Sequence, residues 1–255
     1  PGATIAAQKP AVAMRNKLDR RYYLNATDLW ATKSVPKWDF HIHTNYTDGK
    51  ASVQQVFERG IEAGLEVIAF TEHAEPWRSS TPDWFPDYVA EIERCRVSCA
   101  HRIKAFIGIE ANACGFDGEV ELTSAMREQS EFVLGAAHRY PGLDGRKVSD
   151  LSGPEAIELE YKTLMGLAQS KEIDAIAHIG ATCAKYCTPF PPSLTREVIR
   201  FAAHNGIAVE INPVYHKPLA AFLELCADEG ALVTLGSNAH GFGDIGLVVR
   251  ALQAG

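Results

Sequence analysis

The chain has 255 residues, of which 46% are hydrophobic and 22% charged, and its formal net charge at pH 7 is −7. This length suits one large domain or two small ones, and the acidic balance argues against binding of long nucleic acids through a broad basic surface. No stretch approaches the roughly 20 consecutive apolar residues that cross a bilayer, so we expect no membrane partner and a cytoplasmic location.

Residues 1–34 show no strand pattern, and we treat them as an N-terminal extension of a main domain at 35–255. Within the extension, 13–30 has the spacing of a helix with Leu18, Tyr22 and Leu29 on one side. The sequence leaves open whether this segment packs on the main domain or belongs to a larger protein.

From residue 35 onward, short apolar runs of strand type alternate with helical patterns. The predicted strands cover 37–42, 66–71, 104–109, 131–137, 173–178, 207–212 and 231–236. The predicted helices cover 52–63, 84–100, 154–170, 194–205, 217–229 and 244–253. This alternation indicates an α/β fold with a covered parallel sheet, and the even spacing favours a barrel. The alternative, an open Rossmann-like sheet, lacks the Gly-x-Gly-x-x-Gly that follows the first strand of that fold.

Potential metal ligands follow the predicted strands. Of the nine histidines in the chain, six lie at strand ends: His41, His43, His73, His138, His178 and His240. Glu110 and Asn238 occupy similar positions, and Asp48 precedes a glycine shortly after the first strand. Because the carboxyl ends of parallel barrel strands meet at one mouth, we expect these side chains to converge. Imidazole and carboxylate ligands suit zinc, iron or manganese, and this set is large enough for two or three ions.

Seven short motifs occur in order between about 37 and 246. They are Asp39-Phe40-His41-Ile42-His43-Thr44, Asp48-Gly49, Thr71-Glu72-His73, Gly108-Ile109-Glu110, Ala137-His138, Ala177-His178 and Gly236-Ser237-Asn238-Ala239-His240. Together they resemble the PHP superfamily, named for polymerase and histidinol phosphatase, and its histidinol-phosphatase-like branch in particular. The resemblance implies a distorted (β/α)7 TIM-like barrel that binds up to three divalent ions.

The resemblance also implies which residues hold each ion. The first ion would be held by His41, His43 and Glu110, completed in the family by an aspartate where this chain has Asn238. The second would be held by Glu110, His138 and His178, and the third by Asp48, His73 and His240.

Asn238 is the departure from the family pattern. An amide is neutral, so it binds a cation more weakly than a carboxylate does and cannot act as a general base. Three explanations stay open: a natural variant with altered metal occupancy, a mutation introduced to trap substrate, or an inactive relative that keeps the fold.

The chemistry implied by the resemblance is phosphoester hydrolysis by a metal-bound hydroxide, which is a strong nucleophile near neutral pH. We expect a small phosphorylated metabolite as substrate, with a monoester like histidinol phosphate as one option. The alternatives are a nuclease or a cyclic or nucleotide phosphodiesterase, and a catalytically impaired metal-binding module.

Substrate contacts are predicted in the loops near the barrel mouth. Trp77 and Arg78 lie in the long loop after His73, where an aromatic ring and a guanidinium suit a flat phosphorylated ligand. Arg139 and Lys185 are further candidates for binding phosphate. We place Arg139 with Asn238 in the predicted catalytic centre.

Overall fold

The computed structural model describes residues 17–79, 81 and 83–254. Its strands are β1 Leu24–Asn25, β2 Trp38–Ile42, β3 Val67–His73, β4 Lys104–Asn112, β5 Phe132–Ala136, β6 Ala175–Ile176, β7 Ala208–Ile211 and β8 Leu232–Leu235. Its α-helices are α1 Ala26–Thr32, α2 Val53–Glu62, α3 Phe85–Cys99, α4 Ser124–Gln129, α5 Gly153–Leu167, α6 Ala181–Tyr186, α7 Pro192–Asn205, α8 Leu219–Asp228 and α9 Leu247–Ala254. Short 3₁₀ helices cover Arg20–Tyr22, Pro76–Arg78 and Val148–Asp150.

The strands form one sheet in the order β1-β8-β7-β6-β5-β4-β3-β2. The strands from β2 to β8 pair in parallel, whereas β1 pairs with β8 in antiparallel fashion. A parallel bridge joins Ile42 to Ala239 and closes the curled sheet at its C-terminal end. There, His43 N–H donates to the Ala239 carbonyl at 2.9 Å. This closure confirms the predicted TIM-like barrel over the open sheet.

The seven predicted strands all appear, although β6 is only two residues long. The sequence missed the short helices α4 and α6, each of six residues, because two turns are too short to display helical periodicity. Within the described residues, none of the helices combines the length and apolarity that a bilayer span requires.

Four helices, α1, α2, α4 and α5, start at a residue whose side chain caps the helix. At α2, for example, Ser52 and Gln55 form a reciprocal capping box, in which each side chain accepts from the other residue's backbone N–H. Val53, Val56 and Phe57 then face the sheet and are fully buried. The outer helices therefore cover the barrel with apolar faces, as the sequence pattern predicts.

The helix predicted at 13–30 is wrong over 17–25 and agrees with α1 over 26–30, and 13–16 lie outside the described residues. The backbone N–H of Arg21 donates to the Asp19 side chain, and the backbone N–H groups of Thr27 and Asp28 donate to the Asn25 side chain. Such side chains compete with a continuous helix and start new turns. The segment therefore breaks into a 3₁₀ turn, β1 and α1.

This N-terminal segment packs on the barrel. Leu18 N–H donates to the Glu131 carbonyl at 2.8 Å, and Leu18 and Tyr22 are buried. The Tyr22 ring lies 4.9 Å from that of Phe106 and belongs to the apolar cluster that contains Phe40. The domain boundary at residue 34 stays a prediction.

Alternation along the strands separates an apolar layer from the predicted ligands. Val67 and Ala69 on β3 and Phe106 on β4 belong to one buried cluster. Residues two or four positions further along a strand share its face. His73 and Glu110 therefore lie on the same inner face, one layer nearer the C-terminal mouth.

Candidate metal centre

All nine predicted ligands come together at the C-terminal end of the barrel. His41 and His43 are buried at its floor. The others line a cleft of about 450 Å³: Asp48, His73, Glu110, His138, His178, Asn238 and His240. Strand ends that are far apart in the sequence thus build one concave site.

Glu110 lies at the centre of this set. Its Oε1 lies 2.8 Å from His178 Nε2 and 3.2 Å from His138 Nε2. Its Oε2 lies 3.2 Å from His73 Nδ1 and 3.4 Å from His41 Nε2. Burial disfavours the charge, but the imidazoles of His138 and His41 outweigh it and hold the pKa of Glu110 well below its usual range. Glu110 is therefore an ionised carboxylate with both oxygens facing nitrogen donors.

The first predicted group of ligands is compact. His41, His43 and Glu110 offer ligand atoms that all lie within 4.8 Å of one another. The Nε2 atoms of His41 and His43 are 3.0 Å apart, and Asn238 Oδ1 lies 3.2 Å from His43 Nε2. Asn238 has a φ of 49°, in the left-handed region that Asn tolerates better than most residues. The amide thus lies beside the first predicted group, and its correspondence to the family's aspartate stays a prediction.

The third predicted group lies beside the first. Asp48 Oδ2 is 3.3 Å from His73 Nε2, and Asp48 Oδ1 is 3.2 Å from His240 Nε2. His43 joins this cluster, with Nδ1 3.9 Å from Asp48 Oδ1. Two clusters therefore share the buried imidazole of His43.

The second predicted group meets at one oxygen of Glu110, because the Nε2 atoms of His138 and His178 both face Oε1. His73 also clusters with Glu110 and His138, and His178 clusters with His41 and Glu210. The three predicted ligand sets are thus brought together, but their assignment to individual ions stays a prediction.

The donor set fits divalent cations. Within the described residues, the Nδ1 atoms of His43, His73 and His138 and Oε2 of Glu110 are buried without a hydrogen-bond partner, which is costly unless something binds them. Burial and the imidazoles of His73 and His240 lower the pKa of His43 well below its ordinary value. A neutral imidazole has a free lone pair, so these atoms suit a cation that accepts nitrogen and oxygen ligands.

Glu210 on β7 is a site residue that the sequence reasoning missed. Its Oε1 lies 2.6 Å from His41 Nδ1, and its Oε2 accepts the backbone N–H of His178 at 2.7 Å. A Cβ added at Gly236 would lie 2.1 Å from Glu210 Oε1, so the glycine makes room for this carboxylate. The sequence signal that could have identified Glu210 is that it is the one acidic residue in the otherwise mostly apolar predicted strand 207–212.

Glu75 is a second missed residue. Its buried carboxylate places Oε1 3.4 Å from His138 Nδ1 and Oε2 3.7 Å from His73 Nδ1. Burial opposes its charge, but the two imidazoles hold the pKa of Glu75 below its ordinary value. Glu75 thus orients imidazoles from outside the predicted ligand set.

Glu72 is a third missed residue, and it holds the loop that carries Asp48. It accepts the Thr44 backbone N–H at 2.6 Å and the Thr47 hydroxyl, and burial raises the pKa of Glu72 to about 7. A Cβ at Gly49 would lie 2.4 Å from the His43 carbonyl oxygen, so the loop turns back closely on the strand. These contacts fix Asp48 against the histidines.

The predicted substrate-binding residues divide between two cavities. Arg78 and Lys185 line the metal-ligand cleft, and Arg78 Nη1 lies 3.1 Å from Asp48 Oδ2. Trp77 and Arg139 line the neighbouring cavity, where the guanidinium stacks 4.1 Å from the ring centroid. The structure thus places Arg139 beside the cleft rather than in its lining, and the roles of these four residues stay predictions.

Comparisons with known proteins agree with this geometry. The model of the PHP domain family matches residues 39–214. The chain is 27% identical over 236 residues to a "probable histidinol-phosphatase" of Deinococcus radiodurans, covering 82% of this chain and 88% of that protein. A "probable phosphatase" of Proteus mirabilis is 24% identical over 224 residues, covering 84% and 83%.

Among solved structures, the fold resembles histidinol phosphate phosphatase from Lactococcus lactis complexed with zinc, L-histidinol and phosphate. The TM-score is 0.69 with 22% sequence identity, over 87% of this chain and 94% of that one. The predicted resemblance is confirmed: the chain belongs to the PHP domain family, a family of phosphoester hydrolases.

Proposed function

We propose that the chain is a metal-dependent phosphoesterase that hydrolyses a small phosphorylated metabolite, with a monoester like histidinol phosphate as one candidate. The convergence of nine nitrogen and oxygen donors on one cleft around Glu110 carries this proposal. The relatives named as phosphatases support the reaction class.

We propose that two or three divalent ions, drawn from zinc, manganese and iron, bind to these donors. The supporting observation is that, among the predicted ligands, the buried atoms without a hydrogen-bond partner are three imidazole nitrogens and one carboxylate oxygen, which these metals accept. Bound divalent ions activate water and neutralise the charge of phosphate oxygens.

The other residues of the cleft would bind and orient the ester. Arg78 and Lys185, which line the cleft, would contact phosphate oxygens. In hydrolysis, the water oxygen bonds to phosphorus, the bond from phosphorus to the alcohol oxygen breaks, and a proton of the water passes to that oxygen. Asn238 cannot take this proton, because an amide is not a base.

We test the proposal with protein stripped of metal and reloaded with zinc, manganese or iron(II). Phosphate release is measured from monoesters, including histidinol phosphate and p-nitrophenyl phosphate, and diesterase activity from bis-p-nitrophenyl phosphate. We expect metal-dependent release from monoesters that is abolished by Glu110→Gln. Cleavage of the diester alone would favour the phosphodiesterase alternative.

A matched control is Glu62→Gln, because Glu62 is exposed on α2 and pairs with Arg59 at the surface. This variant should keep full activity. Full metal loading without hydrolysis of any phosphoester, even in Asn238→Asp, would contradict the proposal and favour a catalytically impaired module.

The cytoplasmic location also stays a proposal, supported by six cysteines that are all free thiols.

A further inference from the structure

A second cavity of about 500 Å³ adjoins the metal-ligand cleft. Arg78, His138 and Tyr186 line both cavities. A ligand whose phosphate lies among the metal ligands can therefore extend its remaining part past these side chains. We call this second space the side cavity.

The lining of the side cavity is strongly basic. It contains Arg78, Arg139, Arg146 and Lys147, and among its described lining residues Glu75 is the one acidic side chain. The whole chain has the opposite balance, with 25 Lys and Arg against 32 Asp and Glu. The basic lining is therefore a local departure that would attract an anion.

Arg139 is best placed to bind such an anion. Its guanidinium stacks on Trp77 at 4.1 Å from the ring centroid, which holds its plane. The carboxylate of Glu121 lies 3.8 Å from Nη2, beyond hydrogen-bonding distance, and 56% of the Arg139 side chain is exposed. A stacked guanidinium with free N–H groups suits bidentate binding of a carboxylate or phosphate.

Two neighbouring arginines are more fully engaged. Arg146 Nη1 lies 2.8 Å from Glu155 Oε1, and Arg78 Nη1 lies 3.1 Å from Asp48 Oδ2. They add positive potential to the side cavity, whereas Arg139 offers the unused donors.

Glu75 is the group that would favour a cationic ligand instead. Its carboxylate is buried, and its oxygens face His138 and His73 at 3.4 and 3.7 Å. Its charge is therefore paired mainly with the imidazoles of His138 and His73, and His138 also lines the cavity. An ammonium group in the side cavity would meet four basic side chains and this one carboxylate, whose Oε1 lies 3.4 Å from His138 Nδ1 and whose Oε2 has no hydrogen-bond partner among the described residues.

On the basis of the proposed phosphomonoesterase function, we propose that the substrate's alcohol portion carries a second anionic group, a carboxylate or phosphate, which binds to Arg139 in the side cavity. The enzyme would then prefer phosphomonoesters of anionic alcohols over those of amino alcohols, which makes histidinol phosphate, an amino-alcohol ester, the less favoured candidate.

Three aryl phosphates with similar leaving groups test this preference: phenyl phosphate, 4-(carboxymethyl)phenyl phosphate and 4-(2-aminoethyl)phenyl phosphate. We expect kcat/KM to be at least about tenfold higher for the carboxylate than for the ammonium substrate, mainly through KM. Arg139→Gln should reduce this ratio to about twofold or less. Arg59→Gln on α2 is the matched control and should keep the ratio of the unchanged protein, since Arg59 pairs with Glu62 away from the site.

The outcomes separate this inference from the proposed function. Hydrolysis of all three esters with similar kcat/KM values would leave the phosphomonoesterase function standing and overturn the side-cavity proposal. A ratio that survives in Arg139→Gln would overturn the role of Arg139.

Binding gives an independent readout if none of the esters is hydrolysed. Calorimetric titration of metal-loaded protein compares 4-carboxybenzylphosphonate with 4-(aminomethyl)benzylphosphonate, neither of which can be hydrolysed. The proposal expects at least about tenfold tighter binding of the carboxylate compound and loss of this difference in Arg139→Gln. Equal affinities would overturn it.

Discussion

Replacing Glu210 with glutamine should weaken metal binding without removing any predicted ligand. The carboxylate uses both oxygens as acceptors, one for His41 Nδ1 at 2.6 Å and the other for His178 N–H at 2.7 Å. A glutamine of the same shape has one acceptor oxygen. If that oxygen faces His41, the amide NH₂ opposes the His178 N–H, and two donors meet.

In the other orientation, the amide donates to His41 Nδ1 and forces the imidazole proton onto Nε2. That nitrogen faces His43 and Glu110 and is the one available to a cation. Either orientation loses a charge-assisted hydrogen bond of about 1.5–3 kcal/mol. Changes of this kind outside the ligand shell weaken metal affinity by about 10–100-fold.

The assay is calorimetric titration of zinc or manganese into metal-free protein. Glu210→Gln should bind with about 10–100-fold lower affinity at the tightest site, whereas the surface control Glu62→Gln should match the unchanged protein. Circular dichroism must show that the variant is folded. Affinity and stoichiometry within about twofold of the unchanged protein would refute the argument that Glu210 sets the His41 tautomer.

Four further outcomes are expected. Removing metal with a chelator should lower the free energy of unfolding measured by denaturant titration, and metal at 100 times its Kd should restore about 2.7 kcal/mol of it. An unchanged free energy of unfolding would contradict the metal centre. In Gly236→Ala the added methyl group would lie 2.1 Å from Glu210 Oε1, so the variant should lose about 1–3 kcal/mol of unfolding free energy and bind metal more weakly. Gly243→Ala, where an added Cβ would meet nothing within 4 Å, should show neither change. Asn238→Asp should tighten metal binding by at least about tenfold and raise turnover, and unchanged values would show that the amide is not limiting. Burial raises the pKa of Glu160 from 4.5 to about 7. The free energy of unfolding relative to Glu160→Gln should therefore be highest below pH 4.5 and fall by about 3 kcal/mol as the pH rises through 7. Urea titrations of the two proteins measure this difference, and parallel pH profiles would contradict it.

The parts of the structure with strong local signals could be predicted from the sequence. The seven parallel strands carry continuous apolar runs, and the ligands at their ends followed once a barrel was predicted. Two features depend on pairing between residues that are far apart in the sequence, which leaves no periodic pattern: the closing bridge between Ile42 and Ala239, and the antiparallel strand β1. They could therefore be seen only in the folded chain.

The same limit applies to the site. Glu210 and Glu75 act through His41 and His138, and their contacts follow from side-chain packing rather than from a motif. Arg139 was predicted in the catalytic centre because it follows His138 directly. In the structure both residues lie in a bend after β5, and the Arg139 guanidinium stacks on Trp77 in the side cavity.

The bridge that closes the barrel also bears on how the protein matures. His43 and Asn238 are 195 residues apart in the chain but only 3.2 Å apart in space. During synthesis, the ligands predicted for the first ion therefore stay incomplete until residue 238 has left the ribosome. Long-range contacts of this kind form late in folding. Metal acquisition at this predicted site should thus follow barrel closure, so that metal content marks molecules with a closed barrel, and chains that stop before residue 238 should lack a complete centre.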